Sequence, residues 1–365
     1  MVDHSVRALV MLLMLGGCRS ATSPRLSGGD AADADGNATD GKAIDAASPD
    51  APAFTAGPSC VGLASTCGPN GDQSCCTSPL VPGNAIGATL AGASFFRSYD
   101  VAADGMYADM SYPATVSDFR LDTYLVTVGR FRAFVNAGLG TQASPPASGA
   151  GERTLNGMAN QGGWDPSFDA SLKLNDLEFV DYSLNCEDPN EHQTWTDTPG
   201  SHENLPMNCV DWYEAMAFCA WDGGFLPTEA EWNYAASGGS EQRAYPWSSP
   251  AASTTIDCSY ANNSGCTNPP IGVPNHVGSE SPKGDGMWGQ SDLGGNVSEW
   301  VLDWYASPYP TTACDDCANL TAATARVVRG GSFPIAAPGL RAAFRTYWTP
   351  TDRGYEVGFR CARTP

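Results

Sequence analysis

Thirteen cysteines and four histidines are the side chains of this 365-residue chain whose types and spacing first suggest chemistry. Cys314-Asp315-Asp316-Cys317 has the spacing of a redox pair. Such a pair works when its thiol pKa is lowered at a helix N-terminus following a strand. Here two aspartates stand between the thiols and would raise that pKa, and Pro308 and Pro310 mark a loop, so a structural bridge is the preferred reading. Cys258 and Cys266 read as another local bridge. Cys60, Cys67, Cys75 and Cys76 crowd into CVGLASTCGPNGDQSCC, where two disulfides would staple a segment too small for a core of its own; a metal knuckle there would have no histidine nearby. The pairing inside that segment stays open. His192, His202 and His276 are scattered over loops without a metal-ligand pattern. The glutamates of TEAEW could pass for catalytic acids, but Thr228-x-x-Glu231 is a capping box, which accounts for Glu231. No hydrolase triad or phosphate loop stands out.

The elements that must position these groups are short. Arg7 precedes an apolar run, Ala8 to Leu15, too short to span a bilayer and suited to a signal-peptide core. Leu15-Gly16-Gly17-Cys18 then has small residues before a cysteine, as in a bacterial lipobox, so residues 1–17 are expected to be removed and Cys18 lipidated. Residues 18–58, rich in Ala and Asp, lack large apolar side chains and read as a disordered tether. A Cys-rich module is expected over 59–92 and the main domain over 93–365. Setting Cys18 aside leaves twelve cysteines, an even number that fits an oxidising compartment. A net charge of −21 with no basic stripe excludes nucleic acid as a partner. Within the main domain, Phe95 to Tyr99 and Phe119 to Leu121 read as strands. Thr127 can cap a helix whose Val128, Phe131, Phe134 and Val135 share a face, with Gly138 as its stop. A loop-rich insertion follows to about Pro206, with Trp164, Phe168 and Trp195 packing it down. A helix carrying Trp212, Met216 and Cys219 ends at Gly223-Gly224.

The C-terminal stretch RVVRGGSFPIAAPGLRAAFRTYWTPTDRGYEVGFRCAR pairs a strand-like Val327-Val328 with a Gly330-Gly331 turn and ends on Gly358-Phe359-Arg360-Cys361, read as a short strand. With FRLDTYLVTVGRFRAFVNAG, LPMNCVDWYEAMAFCAWDGG, FLPTEAEWNYAASGG and QSDLGGNVSEWVLDW, it resembles the formylglycine-generating-enzyme, or sulfatase-modifying-factor, family over roughly Ala93 to Arg363. The resemblance implies an α+β, loop-rich fold of C-type-lectin-like character. It also implies a Cys219–Cys361 disulfide and a calcium loop with ligands from the side chains of Asp292 and Glu299 and the carbonyls of Gly295 and Val297. Calcium prefers such hard oxygens; the plainer reading is a glycine turn with Trp300 in the core. The family's second calcium site would start near Asn262-Asn263, but the Asp-Gly-Phe segment it would use before Val277 is absent.

That family oxidises a sulfatase cysteine to formylglycine with copper held by two thiolates just after the GGS turn, five residues apart. Here those places hold Ile335 and Leu340, so copper is not expected. What remains beside the turn is Ser332, Arg341, Arg345 and Arg360 with Phe333, Tyr347 and Trp348, a set suited to an acidic or extended peptide; the plainer reading is that Arg345 and Arg360 pair with core carboxylates. Three function classes follow: a formylglycine-generating oxidase, a non-oxidase module binding a protein or peptide, and another extracytoplasmic maturation enzyme, as in the pyoverdine-tailoring branch. The non-oxidase reading is preferred, in a periplasmic or surface lipoprotein held at the outer membrane by its lipid anchor alone.

Overall fold

With 40 glycines and 27 prolines, few stretches run long enough without a breaker to build extended elements. The computed structural model describes residues 55–84, 95–175, 178–186, 192–266, 272–310 and 313–365. The leader, Cys18 and residues 18–54 of the expected tether lie outside them. Strands are β1 (Leu80–Val81), β2 (Ala114–Thr115), β3 (Phe119–Leu121), β4 (Arg153–Leu155), β5 (Met158–Gln161), β6 (Ser298–Trp304), β7 (Cys314–Asp315), β8 (Arg326–Arg329), β9 (Arg345–Trp348), β10 (Val357–Gly358) and β11 (Ala362–Arg363). The α-helices are α1 (Val128–Asn136), α2 (Trp212–Trp221) and α3 (Glu229–Ala236).

The main sheet has the order β10-β6-β8-β9, with β10 parallel to β6 and the other pairs antiparallel. Side chains alternate across a strand, and in β6 and β8 both faces are covered. Trp300, Leu302 and Val328 enter one apolar cluster with α1 and α2; Val301 and Val327 enter another with Ala230, Trp232 and Ala235 of α3. The sheet is therefore a wall between two cores. A second sheet, β1-β3-β11, is antiparallel throughout.

The helices start where side chains satisfy their free N–H groups. Thr127 Oγ1 accepts from Arg130 N ahead of α1, and Gly138 follows that helix at φ +71°. Capping boxes open both other helices, Asp211 with Glu214 and Thr228 with Glu231. Trp164 and Trp195 are buried and hold the insertion against the first core, where Phe168 stands edge-on to Trp164 and Trp212.

Two expected strands differ in the structure. Phe95 to Tyr99 forms only a bridge from Phe96 to Pro113; the chain turns at Ser98 (φ +54°), whose N–H donates to Asn233 Oδ1 at 2.8 Å. Gly358 to Cys361 is not one strand either. Gly358 ends β10 in the main sheet, and pairing resumes at Ala362 in the second sheet. Between them the fully buried Arg360 reaches the carbonyls of Asp122, Thr123 and Ser291, so the chain spends that interval crossing between sheets.

The Cys-rich segment forms a layer on the main domain. It carries nested bridges, Cys60–Cys76 and Cys67–Cys75. Its β1 pairs with β3, and Cys67 and Cys75 pack with Tyr124, Leu125, Val277 and Val297. Cys258–Cys266 and Cys314–Cys317 are local bridges, and Cys219 of α2 is joined to Cys361 at 2.02 Å. A further bridge, Cys186–Cys209, had no sign in the spacing.

Candidate functional site

The two glycine motifs meet. Gly295 N donates to Gly330 O at 3.1 Å and Phe333 N to Asn296 O at 2.8 Å, seating the GGS turn on the GGN loop. Only glycine fits at two of these places. A Cβ on Gly331 (φ +68°) would stand 2.4 Å from the carbonyl oxygen of Gly339, and one on Gly295 (φ +96°) 2.5 Å from that of Asn262.

Beyond the turn the places assigned to copper thiolates are apolar. Leu340 is fully buried in a cluster with Tyr245, Trp247 and Ala261, and Ile335 packs against it. Ser332 is fully buried and its Oγ makes no hydrogen bond. Copper(I) needs soft donors, and among the described residues every cysteine lies in a disulfide. The residues present do not fit copper.

The same test on the calcium set goes the other way. Asp292 and Glu299 are buried. Asp292 Oδ2 accepts from Gly278 N at 2.7 Å and Glu299 Oε2 from Arg360 Nε at 2.7 Å, but Glu299 Oε1 has no hydrogen-bond partner. The Trp232 indole N–H is near enough to favour the Glu299 carboxylate electrostatically without hydrogen-bond geometry. Among the described residues the carbonyls of Gly295 and Val297 accept no hydrogen bond. Burial pushes Asp292 up to about 6. Glu280, which its place in a loop did not single out, is pushed up to about 8 by burial and by the charge of Asp292, and its Oε2 is also unpartnered. The unpartnered Glu299 Oε1 beside the free carbonyls of Gly295 and Val297 fits a hard cation, while among the described residues no three or more His, Cys, Asp or Glu gather as a metal site.

The arginines of the expected ligand cleft are already engaged. Arg341 bonds Asp100 at 2.9 Å and also Asp104. Arg345 grips both oxygens of Glu229, at 2.7 and 2.8 Å. Burial works against the Glu229 charge, but the Arg345 and Arg329 guanidinium groups outweigh it and its pKa is lowered. Arg360 pairs with Glu299. Arg345 and Tyr347, two residues apart, share one face of β9 and both meet the Tyr305 ring, whereas Trp348 is on the other face and packs against the first core. Tyr347 is 54% exposed and packs tilted against Tyr305, ring centroids 4.4 Å apart. Of the expected cleft residues, Arg345 and Tyr347 meet at Tyr305, whereas Ser332 is buried, Arg341 is paired with Asp100 and Trp348 faces the first core. The glutamates of TEAEW are accounted for structurally, Glu229 by these arginines and Glu231 by its cap and by Arg153 at 2.7 Å.

Known proteins share the fold and much of the sequence of the main domain. The Sulfatase-modifying factor enzyme 1-like domain model matches residues 90–365. A formylglycine-generating enzyme of Thermomonospora curvata is 31% identical over 277 residues, 68% of this chain and 83% of that protein. Inactive C-alpha-formylglycine-generating enzyme 2 of Mus musculus is 30% identical over 292 residues, 75% of this chain and 84% of that one. The structure of PvdO from Pseudomonas aeruginosa superposes with a TM-score of 0.50 at 19% identity, covering 78% of this chain and 93% of that one, a likeness of fold alone. The chain belongs to the sulfatase-modifying factor enzyme 1-like family.

Proposed function

We propose that this chain is an exported, lipid-anchored member of its family that does not oxidise cysteine to formylglycine and uses the scaffold to bind a protein or peptide. The observation that carries this reading is the packing of Ile335 and Leu340 against Tyr245, Trp247 and Ala261, where the family's copper chemistry calls for thiolates. Similarity to a relative named as inactive supports it. Export and an outer-membrane anchor rest on the Leu15-Gly16-Gly17-Cys18 step. A structural calcium at Asp292, Gly295, Val297 and Glu299 rests on the open oxygens there. With Arg341 and Arg345 engaged, the exposed Tyr347 beside Tyr305 is the part of the expected cleft still open to a partner.

The second reading, an active oxidase, is favoured by the likeness to the Thermomonospora enzyme. Incubation of purified protein with a CxPxR peptide and copper separates the two by mass. We expect the peptide cysteine to remain intact. Clear conversion to the aldehyde would overturn the non-oxidase reading and require thiolates from outside the GGS turn.

A further inference from the structure

The aspartates of CDDC argue against redox chemistry only if their charges face the sulfurs. In the structure both carboxylates bond to other residues, although Asp315 stays on the wall of the cavity that Cys317 lines. Asp315 Oδ1 accepts from Thr115 Oγ1, and Asp316 takes the N–H and the hydroxyl of Ser117, at 2.6 and 2.7 Å. What faces the disulfide is a cation: Arg97 Nη1 donates to Cys317 Sγ at 3.4 Å. Arg97 is only 7% exposed, its Nε has no partner, and among the described residues no carboxylate lies within ion-pair distance of it. The other charges felt at Arg97 are Glu229, Asp303 and Arg345. Glu229 is held by Arg329 and Arg345, and Asp303 by the N–H groups of Glu229 and Asn319. The remaining support for the guanidinium is the Tyr309 ring, 4.4 Å away. Arg97 and Cys317 both line a cavity of about 710 Å³, together with Asn156, Gln161, Asp315 and Leu320. Cys314 has no exposed surface, whereas Cys317 keeps 8%.

We propose that the Cys314–Cys317 disulfide is a thiol–disulfide exchange site, entered through this cavity and served by Arg97, and that its substrate is a protein or small-molecule dithiol. The incoming thiolate is drawn to the guanidinium and attacks Cys317 Sγ, the sulfur on the cavity wall. The Cys314–Cys317 bond breaks, Cys314 leaves with the electron pair and takes up a proton, and the donor is held to Cys317 in a mixed disulfide. The donor's second thiolate then attacks its own bound sulfur. It leaves as a disulfide, and Cys317 is released as a thiolate stabilised by Arg97. Two electrons pass from the donor dithiol to the protein; Cys314 gains one proton while Cys317 stays a thiolate and the donor's other proton goes to solvent, and the reverse sequence reduces a disulfide substrate.

The test is differential alkylation of the folded, oxidised protein in dilute dithiothreitol, with mass spectrometry following all six bridges. Cys314–Cys317 is expected to open about tenfold faster than the short-range bridges Cys67–Cys75 and Cys258–Cys266, at dithiothreitol concentrations that leave Cys219–Cys361 closed. With glutathione in place of dithiothreitol, the adduct is expected on Cys317. Arg97→Met should slow the opening about tenfold and Arg97→Lys restore most of it, a rescue that loss of packing alone would not give. Equal rates at Cys314–Cys317 and the other short bridges in the wild type would overturn the proposal, and so would a glutathione adduct on Cys314. An Arg97→Met protein that stays folded and opens at the wild-type rate would remove Arg97 from it.

Discussion

A buried charge in this protein is usually met by an opposite one. Arg130 is fully buried between Asp122 at 2.8 Å and Asp222 at 2.5 Å, and Arg363 reaches the same two acids. Asp303 has no such partner within ion-pair distance among the described residues. It accepts from the N–H groups of Glu229 and Asn319, yet burial and the Glu229 charge push its carboxyl up to about 6. A carboxyl whose folded pKa lies above its unfolded value binds its proton more tightly when folded. Its contribution is therefore fully present below about pH 4 and is lost as pH rises through about 6. The stability difference between wild type and Asp303→Asn should fall across that window by an amount on the order of 2 kcal/mol. Denaturant unfolding at pH 4 and pH 7 measures it, and an unchanged difference would contradict the raised pKa. Calcium is the second expectation at this scale. At about one hundred times its Kd, the ion should add about 2.7 kcal/mol, which is several degrees of melting temperature in a domain of this size. Chelation should remove that gain, and Glu299→Gln, which keeps a neutral acceptor for Arg360, should melt alike with and without chelator. A chelator-insensitive wild type would leave only a glycine turn.

At the scale of elements, α2 is tied to the C-terminal segment by a disulfide across 142 residues. By loop-closure entropy that bridge should contribute about 3–5 kcal/mol. The Cys219→Ala/Cys361→Ala protein should lose about this much in guanidinium unfolding without loss of the fold. A loss below about 1 kcal/mol would mean that the surrounding first core, with Phe218 and Phe359, and not the cross-link, holds the two together. Helix starts were legible because a cap needs only residues within one turn. Thr127, Thr228 and Glu231 were readable for that reason, and Asp211 with Glu214 follows the same pattern. The break between β10 and β11 was not legible. Phe359, Arg360 and Cys361 carry no local breaker; the break is set by what Arg360 meets in segments far away in sequence.

For the whole molecule, the central sheet and its two cores make the scaffold on which every site here depends. If the chain is anchored by lipid, Cys18→Ser should move the full-length protein from the membrane to the soluble fraction and block leader processing. Unchanged fractionation would overturn the anchor. Residue order by itself determined the family, through glycine turns, caps and tryptophans spaced within short windows, and the resemblance carried by those windows is what puts Ile335 and Leu340 at the expected thiolate positions. It also pointed to the local bridges Cys258–Cys266 and Cys314–Cys317, since a short loop closes with few alternatives. Tertiary structure alone decided which charges are already matched. Arg341 and Arg345 could have faced a ligand, but Asp100 and Glu229, more than one hundred residues away in sequence, neutralise them in the interior. It alone turned the CDDC aspartates toward Thr115 and Ser117 and brought Arg97 to Cys317, across 220 residues. Electrostatic roles depend on distance and desolvation, and neither is encoded in any window short enough to read along the chain.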